Sequence, residues 1–389
     1  MRVLLLAPNL PPHLGGVEAY VYGLTRGLTG AGCDVHVLTA GSERSSTAEA
    51  AAVVHRIPHR WTLSNTPVDS RWRRWFRELV ADLRPDVVNA HTPVPFLADV
   101  AAWHRRCPPL VITYHATSLL KADRLANVGV RSYLALERFS LNRAQALIGA
   151  SPLVTAALQA RGVRPPVHTV GNSVWVDEGT MAGPLPVCPR KPSFELVFVA
   201  ALDRTHRWKG LRHILEAMRL DAEAPGGGRP MHLTVVGDGD DRTASESWVR
   251  EHGVVPRVSF TGALHGADKD RVIARADALL SYPNTSNDAF PTVFLEAWAQ
   301  GTAVVTSSVE PMTSILEDDV TAVLAPPAAP AKLLARLRAL EGSPQVLGEL
   351  AANGRALLLR DHSWAKNTAK TLAVLRAASS GVAAGPPAR

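Results

Sequence analysis

Short apolar runs alternate with helical patterns along most of the chain, and this alternation constrains the fold more than any other feature. The runs that indicate buried strands are Val3–Ala7, Val35–Thr39, Val87–Ala90, Leu110–Tyr114, Ala146–Gly149, Leu196–Ala200, Leu233–Val236, Val258–Phe260, Ala278–Ser281 and Ala303–Thr306. Strands that are apolar on both faces and separated by helices are typical of a parallel sheet with helices packed on it. The sequence therefore predicts an α/β fold, with a ligand crevice at the carboxyl ends of the strands.

The length predicts two domains, because 389 residues exceed what one ordinary core holds. Residues 171–193 contain four prolines and three glycines, as an interdomain connection would. The first domain is predicted at 1–175 and the second at 190–360. Residues 361–378 are predicted to form a C-terminal helix, and 379–389 a disordered tail.

Charge and cysteine content limit the possible partners and compartment. A net charge of +7 and a pI near 9.6 suit anionic nucleotides, anionic lipid headgroups or nucleic acid. No nucleic-acid motif occurs and the aromatic residues are not interleaved with basic ones, so no nucleic-acid partner is predicted. Val3–Ala7 is too short for a signal-peptide core, and the cysteines, odd in number and far apart, suggest neither disulfides nor zinc. These features predict a cytoplasmic protein.

The segment 71–83 has an apolar helical face and a basic remainder. The apolar positions at helical spacing are Trp72, Phe76, Leu79 and Leu83, and the arginines elsewhere are Arg71, Arg74 and Arg77. Packing on the core with a basic outer face is the favoured interpretation. The alternative is peripheral contact with the inner face of a membrane, since such helices also use Trp, Phe and Arg.

The stretch Ser281–Gly301 predicts a turn that leads into a helix. Pro291 is allowed in a first helical turn, and the apolar residues at helical spacing are Val293, Phe294, Ala297 and Trp298. Free amides at a helix N-terminus favour an anion. Asp288 and Glu296 lie eight positions apart, and sugar hydroxyls could satisfy carboxylates set among apolar neighbours.

Two features of the first half also fall at predicted strand ends. Gly15 and Gly16 precede a helix and would let the backbone approach a phosphate closely, although a tight turn alone would explain them. His91 and His115 each follow a strand, where the crevice should lie.

Two charged loops mark the second half. Residues 202–210, LDRTHRWKG, place Arg204 and Lys209 just before a helix, as a diphosphate cradle would. Asp238 and Asp240 form an Asp-x-Asp pair whose oxygens suit magnesium or manganese. Carboxylates in an exposed turn are usually only turn residues, so we predict that this pair binds no metal.

Several of these stretches resemble the family-4 glycosyltransferases of the GT-B fold, the bacterial group 1 glycosyltransferases. Asp288-x7-Glu296, followed by Ala297 and Gly301, resembles their E-x7-E signature, with Asp in the first position. Residues 15–18 resemble their Gly-Gly-x-Glu turn, and Lys209 with Gly210 matches their Lys-Gly pair. The chain departs at Ala200–Ala201, where the family has Gly-Arg, so Arg204 is the nearest candidate for the missing phosphate contact.

The resemblance implies an α/β protein of GT-B architecture, with two Rossmann-like domains facing across an interdomain cleft. The last helix would cross back to the first domain. The implied activity is transfer of a sugar from a nucleotide-diphosphate-sugar donor to an acceptor hydroxyl, with retention of anomeric configuration. The donor would be a UDP- or GDP-sugar. The acceptor would be a sugar, a lipid-linked molecule or a small molecule.

The resemblance also implies the site residues, and it implies no cofactor and no metal. The implied catalytic residues are His115, Lys209, Glu296 and Asp288. The implied donor-binding residues are Gly15, Gly16, Arg204, Lys209, Asn284, Ala289, Phe290, Pro291 and Glu296.

Two other functions remain open at this point. A nucleotide-sugar epimerase could use the same fold without an acceptor. A non-catalytic nucleotide-sugar or lipid-binding protein is compatible with the departures at Ala201 and Asp288.

Overall fold

The computed structural model describes residues 1–10, 16–49, 52–63, 66–92, 97–115, 124–181, 183, 191–224, 228–285, 290–310 and 312–381. The chain forms two compact units. Unit 1 contains residues 1–175 and the residues from 363 onward, and unit 2 contains residues 176–362. Residues 382–389 of the predicted tail lie outside the described residues.

Unit 1 is an α/β unit built on a largely parallel sheet. Its strands are β1 Arg2–Leu6, β2 Asp34–Gly41, β3 Ser45–Glu49, β4 Ala52–Pro58, β5 Trp61–Leu63, β6 Thr66–Val68, β7 Val87–Thr92, β8 Leu110–Tyr114, β9 Ala146–Gly149 and β10 Val167–Thr169, and its helices before residue 175 are α1 Gly16–Gly30, α2 Trp72–Leu83, α3 Leu97–Ala102, α4 Arg124–Leu141 and α5 Pro152–Ala160. The strand order is β10-β9-β8-β7-β1-β2-β4-β3, with only β3 antiparallel to its neighbour. Strands β5 and β6 form a separate antiparallel pair.

The central strands of unit 1 follow from their apolar composition. All the residues of β7, β8 and β9 are buried, as expected for strands covered on both faces. The strand β3 was not predicted, because its sequence SSTAE is polar and mostly exposed. It is held by antiparallel pairing with β4.

Unit 2 is an α/β unit with an entirely parallel sheet in the order β13-β12-β11-β14-β15-β16. Its strands are β11 Phe194–Val199, β12 Met231–Val236, β13 Val258–Gly262, β14 Ala278–Ser281, β15 Ala303–Ser307 and β16 Val323–Ala325, and its helices are α6 Glu178–Met181, α7 Leu211–Glu223, α8 Arg242–Glu251, α9 Gly266–Arg275, α10 Thr292–Gln300, α11 Met312–Ile315, α12 Pro330–Glu341 and α13 Pro344–Leu357. Short 3₁₀-helices lie at Arg204–Lys209 and Val255–Arg257, and a π-helix at Leu358–His362 follows α13.

The chain re-enters unit 1 through its last helix, α14 (Trp364–Ser379), which begins three residues later than the predicted 361. The amide of Trp364 donates to the carbonyl oxygen of Val174 (3.1 Å), so the point of return lies beside the point where the chain left unit 1. Helix α14 packs on α1 at two glycines. A Cβ at Gly23 would overlap the indole ring of Trp364, and one at Gly27 would overlap Thr368.

Helix α2 packs on the core of unit 1 as the favoured interpretation predicted. Trp72, Phe76 and Val80 are buried, whereas Leu79 and Leu83 are only half-buried. The Trp72 Nε1–H donates to the Pro58 carbonyl oxygen (3.1 Å), which fixes the start of the helix. Within the described part of the chain, no helix combines the length and the apolar character needed to cross a bilayer.

We expect Gly23→Ala to destabilise unit 1 although alanine is the better helix former. The propensity gain is about 1 kcal/mol, but the added methyl group enters a filled contact with Trp364, and overpacking costs about 1–3 kcal/mol. The measurement is the urea midpoint followed by tryptophan fluorescence. Gly30→Ala, at the exposed end of the same helix with no atom within 4 Å of the added Cβ, is the control and should not lower the midpoint. Equal midpoints for the two variants would contradict the close packing of α1 and α14.

Candidate functional site

The sheet of unit 2 has a topological switch point between β11 and β14. From β11 the chain continues to β12 and β13 on one side, then crosses to β14 on the other. Loops that leave two such strands diverge at the carboxyl edge, and the crevice between them is where doubly wound sheets bind ligands. The two loops here are the basic segment after β11 and the segment 282–291 after β14.

The basic segment ends in a tight contact with the second loop. Its 3₁₀-helix Arg204–Lys209 stops at Gly210, which has a left-handed backbone (φ 83°). A Cβ at Gly210 would overlap the carbonyl oxygen of Tyr282, so both the conformation and the space require glycine. The Tyr282 amide donates to the Lys209 carbonyl oxygen (3.3 Å), and the Asn284 amide donates to that of Trp208 (2.9 Å). Lys209 and Asn284, both predicted site residues, are thereby fixed by backbone bonds between the two loops.

Arg204 is paired with a carboxylate in the structure. Its Nε lies 3.7 Å from Asp240 Oδ2, and its amide donates to Asp240 Oδ1 (2.8 Å). Both side chains are largely exposed, so the pair contributes at most about 1 kcal/mol. Arg204 can therefore leave Asp240 for a stronger anion at little cost.

The other carboxylates of the Asp-x-Asp turn are also bound to arginines. Arg207 Nε donates to Asp241 Oδ2 (2.9 Å), and Arg242 Nη1 lies 3.1 Å from Asp238 Oδ2. The hydrogen bond from Arg207 lowers the pKa of Asp241. Among the residues that the structure describes, no group of three or more His, Cys, Asp or Glu side chains could hold a metal ion. The turn thus serves to join the loops after β11 and β12.

The loop after β14 is only partly described, and the predicted residues Asp288 and Ala289 lie outside the described residues. Phe290 is buried, with its ring stacked on His362 at 5.2 Å between centroids. Its side chain therefore belongs to the core, and it could act on a ligand only through its backbone. Pro291 is the N-cap of α10 and is also buried.

Glu296 lies in the second turn of α10 and is held by a lysine that sequence reasoning missed. Lys269 Nζ, on α9, donates to Glu296 Oε1 (2.8 Å), and both side chains are about one-fifth exposed. Glu296 Oε2 makes no hydrogen bond to any residue in the described ranges. Lys269 fixes the carboxylate while one oxygen stays available to a ligand.

Unit 1 has a second switch point, between β1 and β7, and the predicted residues there lie at the expected edge. Gly16 begins α1 after β1, while Gly15 lies outside the described residues. His91 lies near the end of β7 and His115 directly follows β8. The His91 Nδ1 and His115 Nε2 atoms are 3.0 Å apart, and the rings are stacked.

The two imidazoles form a neutral hydrogen-bonded pair. One nitrogen of the 3.0 Å contact must donate and the other accept. Burial lowers the pKa of His115 to about 3, and burial together with the neighbouring His115 lowers the pKa of His91 well below its usual range. The Tyr20 ring packs edge-on against His115, with 4.8 Å between centroids. His115 can therefore offer a ligand one hydrogen bond, at Nδ1, without a charge.

Known sequence families match nearly the whole chain. Residues 14–178 match Glycosyltransferase Family 4, and residues 190–357 match Glycosyl transferases group 1. The chain is similar to the glycogen synthase of Mycobacterium tuberculosis, with 27% identity over 98% of this chain and 96% of that protein. It is also similar to a phosphatidyl-myo-inositol mannosyltransferase of Mycobacterium leprae, with 27% identity over 94% and 93% of the two chains.

Solved structures share the fold. The Anabaena protein HepE in complex with UDP aligns over 97% of this chain and 100% of its own, with a TM-score of 0.75 and 17% identity. At that identity the similarity concerns the fold alone.

The neutral state of His115 predicts a pH dependence of stability. The unfolded chain protonates this ring near pH 6.5, about its unperturbed value, but the folded chain does so only near pH 3. The contribution of His115 to stability is therefore complete above pH 6.5 and is lost as the pH falls towards 3, because only the unfolded state gains the proton.

His115→Gln should therefore flatten the fall in the free energy of unfolding between about pH 6.5 and 4. The measurement is urea unfolding at a series of pH values. His265→Gln removes an exposed histidine and should leave the wild-type slope unchanged. A slope that His115→Gln does not alter would mean that the ring protonates freely in the folded protein.

Proposed function

The chain belongs to the family-4, group 1 glycosyltransferases and has the GT-B fold, and on that premise we propose that it uses a nucleotide-diphosphate-sugar donor. The sugar moves to an acceptor hydroxyl with retention of anomeric configuration. The observation that carries this proposal is the switch point of unit 2, which has Lys209 after β11 and Glu296 in the helix after β14. A cation and a carboxylate on opposite sides of one crevice suit the two ends of a nucleoside diphosphate. The UDP named in the HepE complex supports the same ligand class.

Lys209 meets the charge of the departing diphosphate. Its position is fixed by the backbone bonds around Gly210, so little reorganisation is needed when negative charge grows on the leaving oxygen. Arg204 also binds the phosphates, after leaving its exposed contact with Asp240. It thereby takes the role of the arginine that the family has at the position of Ala201. The diphosphate is the stronger partner, because it carries more negative charge than one carboxylate and offers the guanidinium several acceptor oxygens.

Glu296 holds the nucleotide ribose through Oε2, while Lys269 keeps its other oxygen in place. Asp288 would bind the donor sugar, an assignment that depends on the sequence pattern alone. His115 would contact the donor sugar, an assignment that depends on the family resemblance, and its neutral ring would bring no charge to the ligand.

The proposed reaction needs no metal ion. Asp238 and Asp240 are engaged by Arg242 and Arg204, and a metal would have to displace both arginines. The positive groups that a metal would otherwise supply are Lys209, Arg204 and the amides at the start of α10. The proposed acceptor is a sugar, a lipid-linked molecule or a small molecule, and relatives named as a glycogen synthase and a phosphatidyl-myo-inositol mannosyltransferase support a carbohydrate or lipid acceptor.

The first test is a donor screen. UDP- and GDP-sugars are compared by thermal shift, and the stabilising donor is then incubated with excess EDTA. We expect slow release of the sugar without an acceptor, unaffected by chelation, with the first anomer seen by NMR matching that of the donor. Loss of turnover on chelation that manganese or magnesium restores would refute metal independence, and an inverted first product would refute retention.

The second test is Glu296→Gln, which keeps the shape of the side chain and removes its charge. A hydrogen bond to a charged acceptor contributes roughly 1.5–3 kcal/mol, so the Kd of the nucleotide should rise about ten- to a hundredfold. Inorganic pyrophosphate should bind as before, because Glu296 is assigned to the ribose. Glu251→Gln, an exposed substitution in the same unit, is the charge-matched control. If Glu296→Gln binds nucleotide as tightly as wild type, the ribose assignment is wrong.

A further inference from the structure

A surface pocket of about 410 Å³ lies beside α2 in unit 1, and its lining is almost entirely basic. The described residues that line it are Ser70, Arg73, Arg74, Arg77, His104 and Arg105. No carboxylate is among them. None of these residues was assigned a role in the sugar transfer proposed above.

The packing of α2 explains why the arginines gather at this pocket. Trp72 and Phe76, one helical turn apart, are buried on the core side of the helix. Arg73 and Arg77 have the same spacing and are exposed, so both point from one outer face. Arg105 comes from the turn after α3, which is closed by a hydrogen bond from the Cys107 amide to the His104 carbonyl oxygen (3.1 Å).

Two arginines of this region are paired with carboxylates, but three that line the pocket are not. Arg71 Nη2 lies 2.6 Å from Asp69, and Arg74 Nε lies 2.8 Å from Glu78. The side chains of Arg73, Arg77 and Arg105 make no hydrogen bond, ion pair or ring contact with any residue in the described ranges. Like charges gathered without counter-charge repel one another, so an anion placed among them would be bound favourably.

The pKa of His104, which also lines the pocket, reflects the positive charge of the arginines. Its ring packs edge-on against Phe76, with 5.7 Å between centroids. Burial lowers the pKa of His104, and the charges of Arg77 and Arg73 lower it further. An anion beside these arginines would reverse the second effect and raise the pKa.

We propose that this pocket binds a phosphate group through Arg73, Arg77 and Arg105. Planar guanidinium forks suit phosphate oxygens, to which they can donate in pairs. The described lining residues include no Phe, Tyr or Trp to stack on a base, and Trp72 and Phe76 are turned into the core. Recognition therefore concerns the phosphate itself, carried either by a soluble polyphosphate or by a lipid headgroup.

The test compares two triple variants of equal charge change. Arg73→Gln, Arg77→Gln and Arg105→Gln together remove the pocket arginines. Arg164→Gln, Lys332→Gln and Arg376→Gln remove three exposed charges elsewhere. Inorganic tripolyphosphate is titrated by calorimetry at low salt into each full-length protein, with Lys209→Ala present in all of them to weaken the donor site. We expect the pocket triple to bind at least about tenfold more weakly than the other two proteins.

A local signal and a second ligand complete the experiment. The His104 imidazole resonance, assigned with His104→Gln, should titrate at higher pH when tripolyphosphate is bound. Co-sedimentation with phosphatidylglycerol vesicles, competed by tripolyphosphate, identifies a lipid headgroup as the source if the vesicles bind. Tripolyphosphate binding without vesicle binding identifies a soluble phosphate. If the two triple variants bind equally, or if neither ligand binds the wild-type protein, the proposal is wrong.

Discussion

The backbone at Gly210 lies against the carbonyl oxygen of Tyr282 with no room for a side chain between them. This approach lets the loop after β11 hydrogen-bond to the loop after β14 at the carboxyl edge of two neighbouring strands. Lys209 precedes the contact and α10, with Glu296, follows it. The main-chain geometry at this contact therefore sets the positions of Lys209 and Glu296.

Charge pairing differs sharply between the two basic regions. In unit 2 the arginines around the Asp-x-Asp turn each have a carboxylate, which holds loops together and leaves exchangeable contacts at the surface. At the pocket beside α2, Arg73, Arg77 and Arg105 remain without counter-charge among the described residues, and the first two lower the pKa of the neighbouring His104. The first pattern stabilises a loop and the second favours an incoming anion.

Sequence reasoning succeeded where a signal is local and failed where it depends on distant partners. Fully apolar runs predicted the central strands, and strand ends predicted that His91 and His115 would lie at the carboxyl edge of the sheet, where the structure shows them in contact. The polar strand β3 gave no such signal, because only its pairing with β4 makes it a strand. The bond between Lys269 and Glu296 joins residues on separate helices, and no spacing rule connects them. Phe290 remains a predicted donor-site residue, but the sequence pattern gave no sign that its ring stacks on His362, far along the chain.

Unit 1 is assembled from both ends of the chain, and this has a consequence for the order in which the molecule is made. Residues 176–362 form a continuous segment that can fold once it has left the ribosome. The core of unit 1 includes Trp364, Leu372 and Leu375, so the groove along α1 at Gly23 stays uncovered until the last helix is synthesised. The half of the protein that is translated first is thus completed last, and in the interval its apolar α1 face is open to chaperones.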